Sequence, residues 1–107
     1  MTNSRTKGAN YERKIAKRLS KHFGLELCRT PLSGGMDWKG DILPIFGEIP
    51  YHIECKKIER FNIWKAIAQA ERDCPEEKTP IVIFSRNRTE DYVCIKLEDF
   101  LDKNPLE

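Results

Sequence analysis

Gly40-Asp41-Ile42-Leu43-Pro44-Ile45-Phe46-Gly47-Glu48-Ile49-Pro50-Tyr51-His52-Ile53-Glu54-Cys55-Lys56 is the stretch on which the fold of this 107-residue chain turns. Asp41–Phe46 and Tyr51–Lys57 read as two strands joined by a turn at Gly47-Glu48. Pro44 and Pro50 make the first of them irregular or place it at a sheet edge, because proline cannot donate to a ladder. Side chains alternate along a strand, so Glu54 and Lys56 project together while Cys55 points the other way. A hairpin turning at Gly47-Glu48 sets Asp41 across from Glu54, with their Cβ atoms roughly 5 Å apart.

Two carboxylates that close repel unless something neutralises them, and a hard divalent cation does so with oxygen ligands. A bound metal lowers the pKa of a coordinated water and stabilises charge on a phosphodiester. Lys56, alongside, is placed to orient that water or steady an oxyanion. No Ser–His pairing suggests acyl transfer. A Glu-x-Lys pattern alone is weak and occurs on many solvated sheet faces. Here Ile42, Leu43, Ile45, Ile53 and Ile58 make the strands mainly apolar, so charges set among them need a reason.

Outward from this stretch, Tyr11, Ile15, Leu19 and Phe23 recur every four positions with Ala16 beside them, which predicts an amphipathic helix over about 7–23 ending at Gly24. Leu25–Arg29 alternates as a strand, and 30–40 is a glycine-rich loop. Asn62 is a good N-cap for a helix to about Asp73, with Ile63, Trp64, Ile67 and Ala70 inward. Ile81–Phe84 and Tyr92–Leu97 are further strands, and Glu98–Lys103 is a short terminal helix. The order α-β-β-β-α-β-β-α predicts an α/β fold, a central mixed sheet flanked by helices, as one domain over 1–107.

Net charge is only +2, but residues 1–40 carry +6 and residues 41–107 carry −4. Such asymmetry fits an electrostatic footprint for a polyanion. Cys28, Cys55, Cys74 and Cys94 are scattered without a CxxC pair, so a zinc site is not expected and reduced thiols are. No apolar run reaches the length of a membrane span and residues 1–7 are polar, so a cytoplasmic protein is expected.

Gly40-Asp41 with Glu54-Cys55-Lys56 resembles the PD-(D/E)xK nuclease signature, with Gly in place of the Pro. Ser4-Arg5-Thr6-Lys7-Gly8 followed by Tyr11-Glu12-Arg13 resembles the first helix of archaeal-type Holliday junction resolvases and small phage-encoded relatives. Arg29-Thr-Pro-Leu-Ser33-Gly-Gly, the Trp64–Ala70 helix and Pro80–Phe84 are similar to the same group, so the resemblance runs over nearly the whole chain.

The resemblance implies a restriction-endonuclease-like core. It implies Asp41 and Glu54 as metal ligands, joined by the Cys55 backbone carbonyl and by Glu12 from the first helix, with Lys56 as the catalytic lysine. The implied cofactor is Mg²⁺, for which Mn²⁺ substitutes. Arg5, Lys7, Arg29 and Ser33 are candidates for DNA phosphate contacts, Gly34-Gly35 for close approach to the duplex, and Gln69 for a position facing the site. Asp37 is a rival carboxylate, and Asp41 is preferred because a strand follows it. Lys57 and His52 read as structural or solvent-facing, although strict alternation puts His52 on the Glu54 face. The implied substrate is a four-way DNA junction in recombination and repair, cut by a homodimer, with the C-terminal strand and Phe100/Leu101 as candidate dimer surface. A less selective DNA nuclease and an inactive DNA-binding module are the alternatives.

Overall fold

A computed structural model of the protein describes residues 4–31, 38–60 and 62–106. The elements are α1 (Ser4–Phe23), β1 (Leu27–Arg29), β2 (Ile42–Pro44), β3 (Tyr51–Lys57), α2 (Ile63–Asp73), β4 (Thr79–Ser85), β5 (Tyr92–Ile95) and α3 (Leu97–Lys103). Their order is the predicted one. Ser33, Gly34-Gly35 and Asp37 lie outside the described residues, as does the side chain of Arg5.

The stripe on α1 buries Tyr11, Ile15 and Ala16 against Ile53, Cys55, Ile81 and Ile83 of the sheet. Gly24 ends the helix at φ +68, a conformation that costs a residue without Cβ nothing. Ser20 then ties the helix to the next strand, its hydroxyl donating to Ala16 O at 2.8 Å and accepting from the Leu27 N–H at 2.8 Å.

On the opposite face Ala66 and Ala70 of α2 pack on Val82. Asn62 caps α2 by accepting from the Trp64 and Lys65 N–H groups, as expected. Trp64, expected inward, instead stands 76% exposed. Small Ala66 takes the inner position, three residues from Ile63 and four from Ala70, and lets the helix lie close to the sheet.

The three-stranded sheet has the order β3-β4-β5, with β3 parallel to β4 and β5 antiparallel to β4. It is therefore mixed, with helices on both faces. The expected hairpin between residues 41–46 and 51–57 does not form. β2 pairs antiparallel with β1, Leu27 opposite Pro44, and β3 pairs with β4 through the α2 crossover. The cause lies in the segment between: bends at 45–47 and Gly47 at φ +78 turn the chain away before Pro50 starts β3. The apolar strand Ile81-Val82-Ile83 meanwhile offers β3 a partner buried on both faces. No described helix is long and apolar enough to cross a membrane.

Candidate active site

Asp41 reaches β3 without a hairpin. Its N–H donates to the Ile53 carbonyl at 2.7 Å, and its Oδ2 accepts from the Cys55 N–H at 2.8 Å. The approach is held from behind. Thr30 Oγ1 donates to Gly40 O at 2.6 Å, and Trp38 Nε1 donates to Ile42 O at 2.8 Å. Gly40 suits this crossing, because a Cβ there would sit 3.2 Å from both the Ile53 carbonyl oxygen and Trp38 Nε1, tight enough that a neighbour would have to shift. The small residue that replaces proline in the motif thus permits the close crossing.

Within a strand, the N–H and C=O of one residue point to the same edge. Since the Cys55 N–H meets Asp41, its carbonyl opens on that same edge, away from β4. Glu54 lies on the α2 face of β3, 2% exposed, with Oε2 buried and lacking a hydrogen-bond partner among the described residues. Burial, and then the neighbouring charge of Asp41, push its carboxyl pKa up to about 8. Burial also raises Asp41, against the pull of the Cys55 N–H and Lys56. Glu12 on α1 is raised by burial and by the Asp41 charge, partly offset by Arg29. The Cys55 thiol, buried among these carboxylates, is raised as well and acts as a small apolar group.

The three carboxylates therefore feel one another, and the site is short of positive charge. Lys56 is the cation that acts on all three, lowering Glu12, Asp41 and Glu54 alike. Among the described residues, no three His, Cys, Asp or Glu side chains are gathered tightly enough to hold an ion as they stand. Asp41 is turned to the Cys55 N–H, and Glu12 to Arg29 Nε at 3.0 Å. The donors, carboxylates plus a backbone carbonyl, are those of a hard cation such as Mg²⁺, and the orphaned Glu54 oxygen is a buried acceptor that such an ion satisfies.

Of the predicted phosphate contacts, Arg29 is tied to Glu12, and Lys7 lies 3.8 Å from Glu59. Gln69 is half-buried on α2, three residues after inward Ala66 and four before Asp73. His52 is neither solvent-facing nor remote. It is 2% exposed, its Nε2 lacks a hydrogen-bond partner among the described residues and lies 4.0 Å from Glu54 Oε2, and burial lowers its pKa. The alternation rule had already placed it on that face. Asp73 was missed: its charge acts on both His52 and Glu54, and its spacing from Gln69 was the available signal.

The model of a family described as "Phage putative PDDEXK endonuclease" matches residues 3–104. No curated protein and no solved structure matches the chain.

Proposed function

The chain belongs to the phage putative PDDEXK endonuclease family, and from that premise we propose that it hydrolyses DNA phosphodiesters with Mg²⁺ held by Asp41, Glu54, Glu12 and the Cys55 carbonyl. The observation that carries this reading is the joint upward pressure on three carboxylates around a buried, orphaned Glu54 oxygen, with Lys56 as their shared cation. A divalent cation there supplies Lewis-acid stabilisation of the charge that builds on the phosphodiester. Mn²⁺, with the same preference for oxygen donors, substitutes.

The residues have separate duties. Asp41, held at the edge of β3 by its N–H bond to the Ile53 carbonyl, would offer its carboxylate to the ion. Glu54 would offer the ion its buried, unpartnered oxygen. Lys56, on the same face of β3, orients the attacking water or neutralises an equatorial phosphate oxygen. Glu12, released from Arg29, completes the acidic set. Arg29 is then free to meet a phosphate of the same backbone.

The substrate we propose is a four-way DNA junction, cut by a homodimer. β5 is an edge strand on which Tyr92 and Val93 are each 57% exposed, and Phe100 and Leu101 of the adjoining α3 are also exposed. An apolar edge of this kind favours pairing with a second copy, and two-fold symmetry supplies two cutting sites. The test is cleavage of a labelled junction beside a linear duplex of the same sequences, with Mg²⁺ and with EDTA. Paired symmetric cuts confined to the junction and abolished by EDTA are expected. Equal cutting of both substrates refutes junction selectivity and leaves a general nuclease. No cutting of either refutes the nuclease reading.

A further inference from the structure

Lys7, Asn10, Tyr11, Lys14, Lys57 and Asn87 line an open cavity of about 450 Å³ between the first turns of α1, the end of β3 and the β4–β5 turn. Its lining is suited to an anion. Lys14 and Lys57 set their ammonium groups 5.9 and 5.5 Å from the centroid of the Tyr11 ring, which forms the floor. Asn10 and Asn87 add amide donors.

The frame is held by two carboxylates outside this lining. Glu59 accepts from the Asn87 N–H at 2.6 Å and lies 3.8 Å from Lys7. Asp91 accepts from the Tyr11 hydroxyl at 3.0 Å and is shared by Lys14 at 3.2 Å and Arg18 at 2.8 Å. Burial opposes the ionisation of Asp91, but these donors and cations outweigh it and hold its carboxyl below the usual range. Four cations thus stand against two carboxylates, and Lys57 has no ion pair among the described residues.

The cavity adjoins the candidate active site through two pairs of consecutive residues. Tyr11 lines the cavity and Glu12 the site; Lys57 lines the cavity and Lys56 the site. Alternation sends Lys56 and Lys57 to opposite faces of β3, so one strand end serves both.

We propose that this cavity is a phosphate-binding subsite that seats a backbone phosphate of the DNA on the α1 side of β3, apart from the bond being cut. The proposal rests on the nuclease reading for its role, while the anion site itself does not. The test follows ¹⁵N amide signals of the protein titrated with inorganic phosphate and, separately, with a short DNA duplex in EDTA. It is repeated with Lys57→Gln and with Lys17→Gln, an exposed α1 control. Saturating shifts confined to Asn10, Lys57 and Asn87 are expected from both probes. Lys57→Gln should weaken duplex binding several-fold and reduce the slope of log affinity against log salt by roughly one phosphate's share, about 0.9. Lys17→Gln should do neither. Shifts from the duplex alone assign the cavity to a backbone phosphodiester, and shifts from inorganic phosphate alone assign it to free phosphate. Diffuse, non-saturating shifts, or an unchanged slope in Lys57→Gln, overturn the proposal. Cleavage by Glu54→Gln, run alongside, separates the two claims. If that variant cuts normally while phosphate still saturates the cavity, the active-site reading fails and the subsite stands.

Discussion

Glu54→Gln should stabilise the metal-free protein while abolishing cleavage. An ordinary glutamate ionises near 4.5, but burial and Asp41 hold Glu54 protonated to about pH 8 in the folded chain. Between those midpoints the native state binds a proton that the unfolded state has released. Stability therefore falls as pH rises through this window and is greatest at its acid end. At pH 7, keeping the proton that far past the carboxyl's usual midpoint costs about 3 kcal/mol, at about 1.4 kcal/mol per pH interval. Glutamine keeps the shape and has no proton to retain. For a chain of this length the gain corresponds to a rise in Tm on the order of 10 °C at pH 7. The assay is thermal unfolding of both proteins in EDTA from pH 5 to 8.5. The two curves should nearly coincide at pH 5 and separate steadily with rising pH, and saturating Mg²⁺ should close the gap by stabilising the parent alone. A variant equal to or less stable than the parent at every pH would refute the reasoning, because Glu54 would then not be a carboxyl that burial holds protonated.

Two further outcomes follow from named contacts. Lys56→Ala should bind duplex DNA within about two-fold of the parent but cut it roughly 10²–10³ times more slowly, which single-turnover kinetics at saturating enzyme would show. Gly40→Ala should cost about 1–3 kcal/mol in urea unfolding, because its Cβ meets the Ile53 carbonyl and the chain must give way. Its cleavage rate should fall as well, since Asp41 moves with that crossing.

The periodic parts of the fold were legible because their physics is local. The four-residue stripe of α1, the Asn62 cap and the alternation of β3 each depend on residues close in sequence. Pairing was not legible in the same way. Asp41 was expected beside Glu54 through a hairpin, and it arrives there through one backbone bond to Ile53 while β2 turns to β1. Proline and bend positions between the strands permit either route, and the choice is made by the Ile81-Val82-Ile83 strand far along the chain. Trp64 was read inward with Ile63, Ile67 and Ala70, but the helix lies close to the sheet through Ala66 and Ala70 and leaves Trp64 outside. That Glu12, Asp41, Glu54 and Lys56 lie near enough for their charges to act on one another was expected from spacing and resemblance together. The depth at which His52 is buried and the reach of the Asp73 charge depend on how α2 seats on the sheet, and alternation and the Gln69–Asp73 spacing give only the faces.

The central claim, that Asp41, Glu54 and Glu12 form a divalent-cation centre, is tested most directly by Mn²⁺ calorimetry at pH 7 in buffers of different ionisation enthalpy. Since Glu54 holds its proton to about pH 8, binding should release about one proton per ion. Asp41→Asn should bind far more weakly, and Glu54→Gln should lose both the affinity and the proton. Binding of equal strength in the parent and both variants, or binding without proton release, would contradict the account.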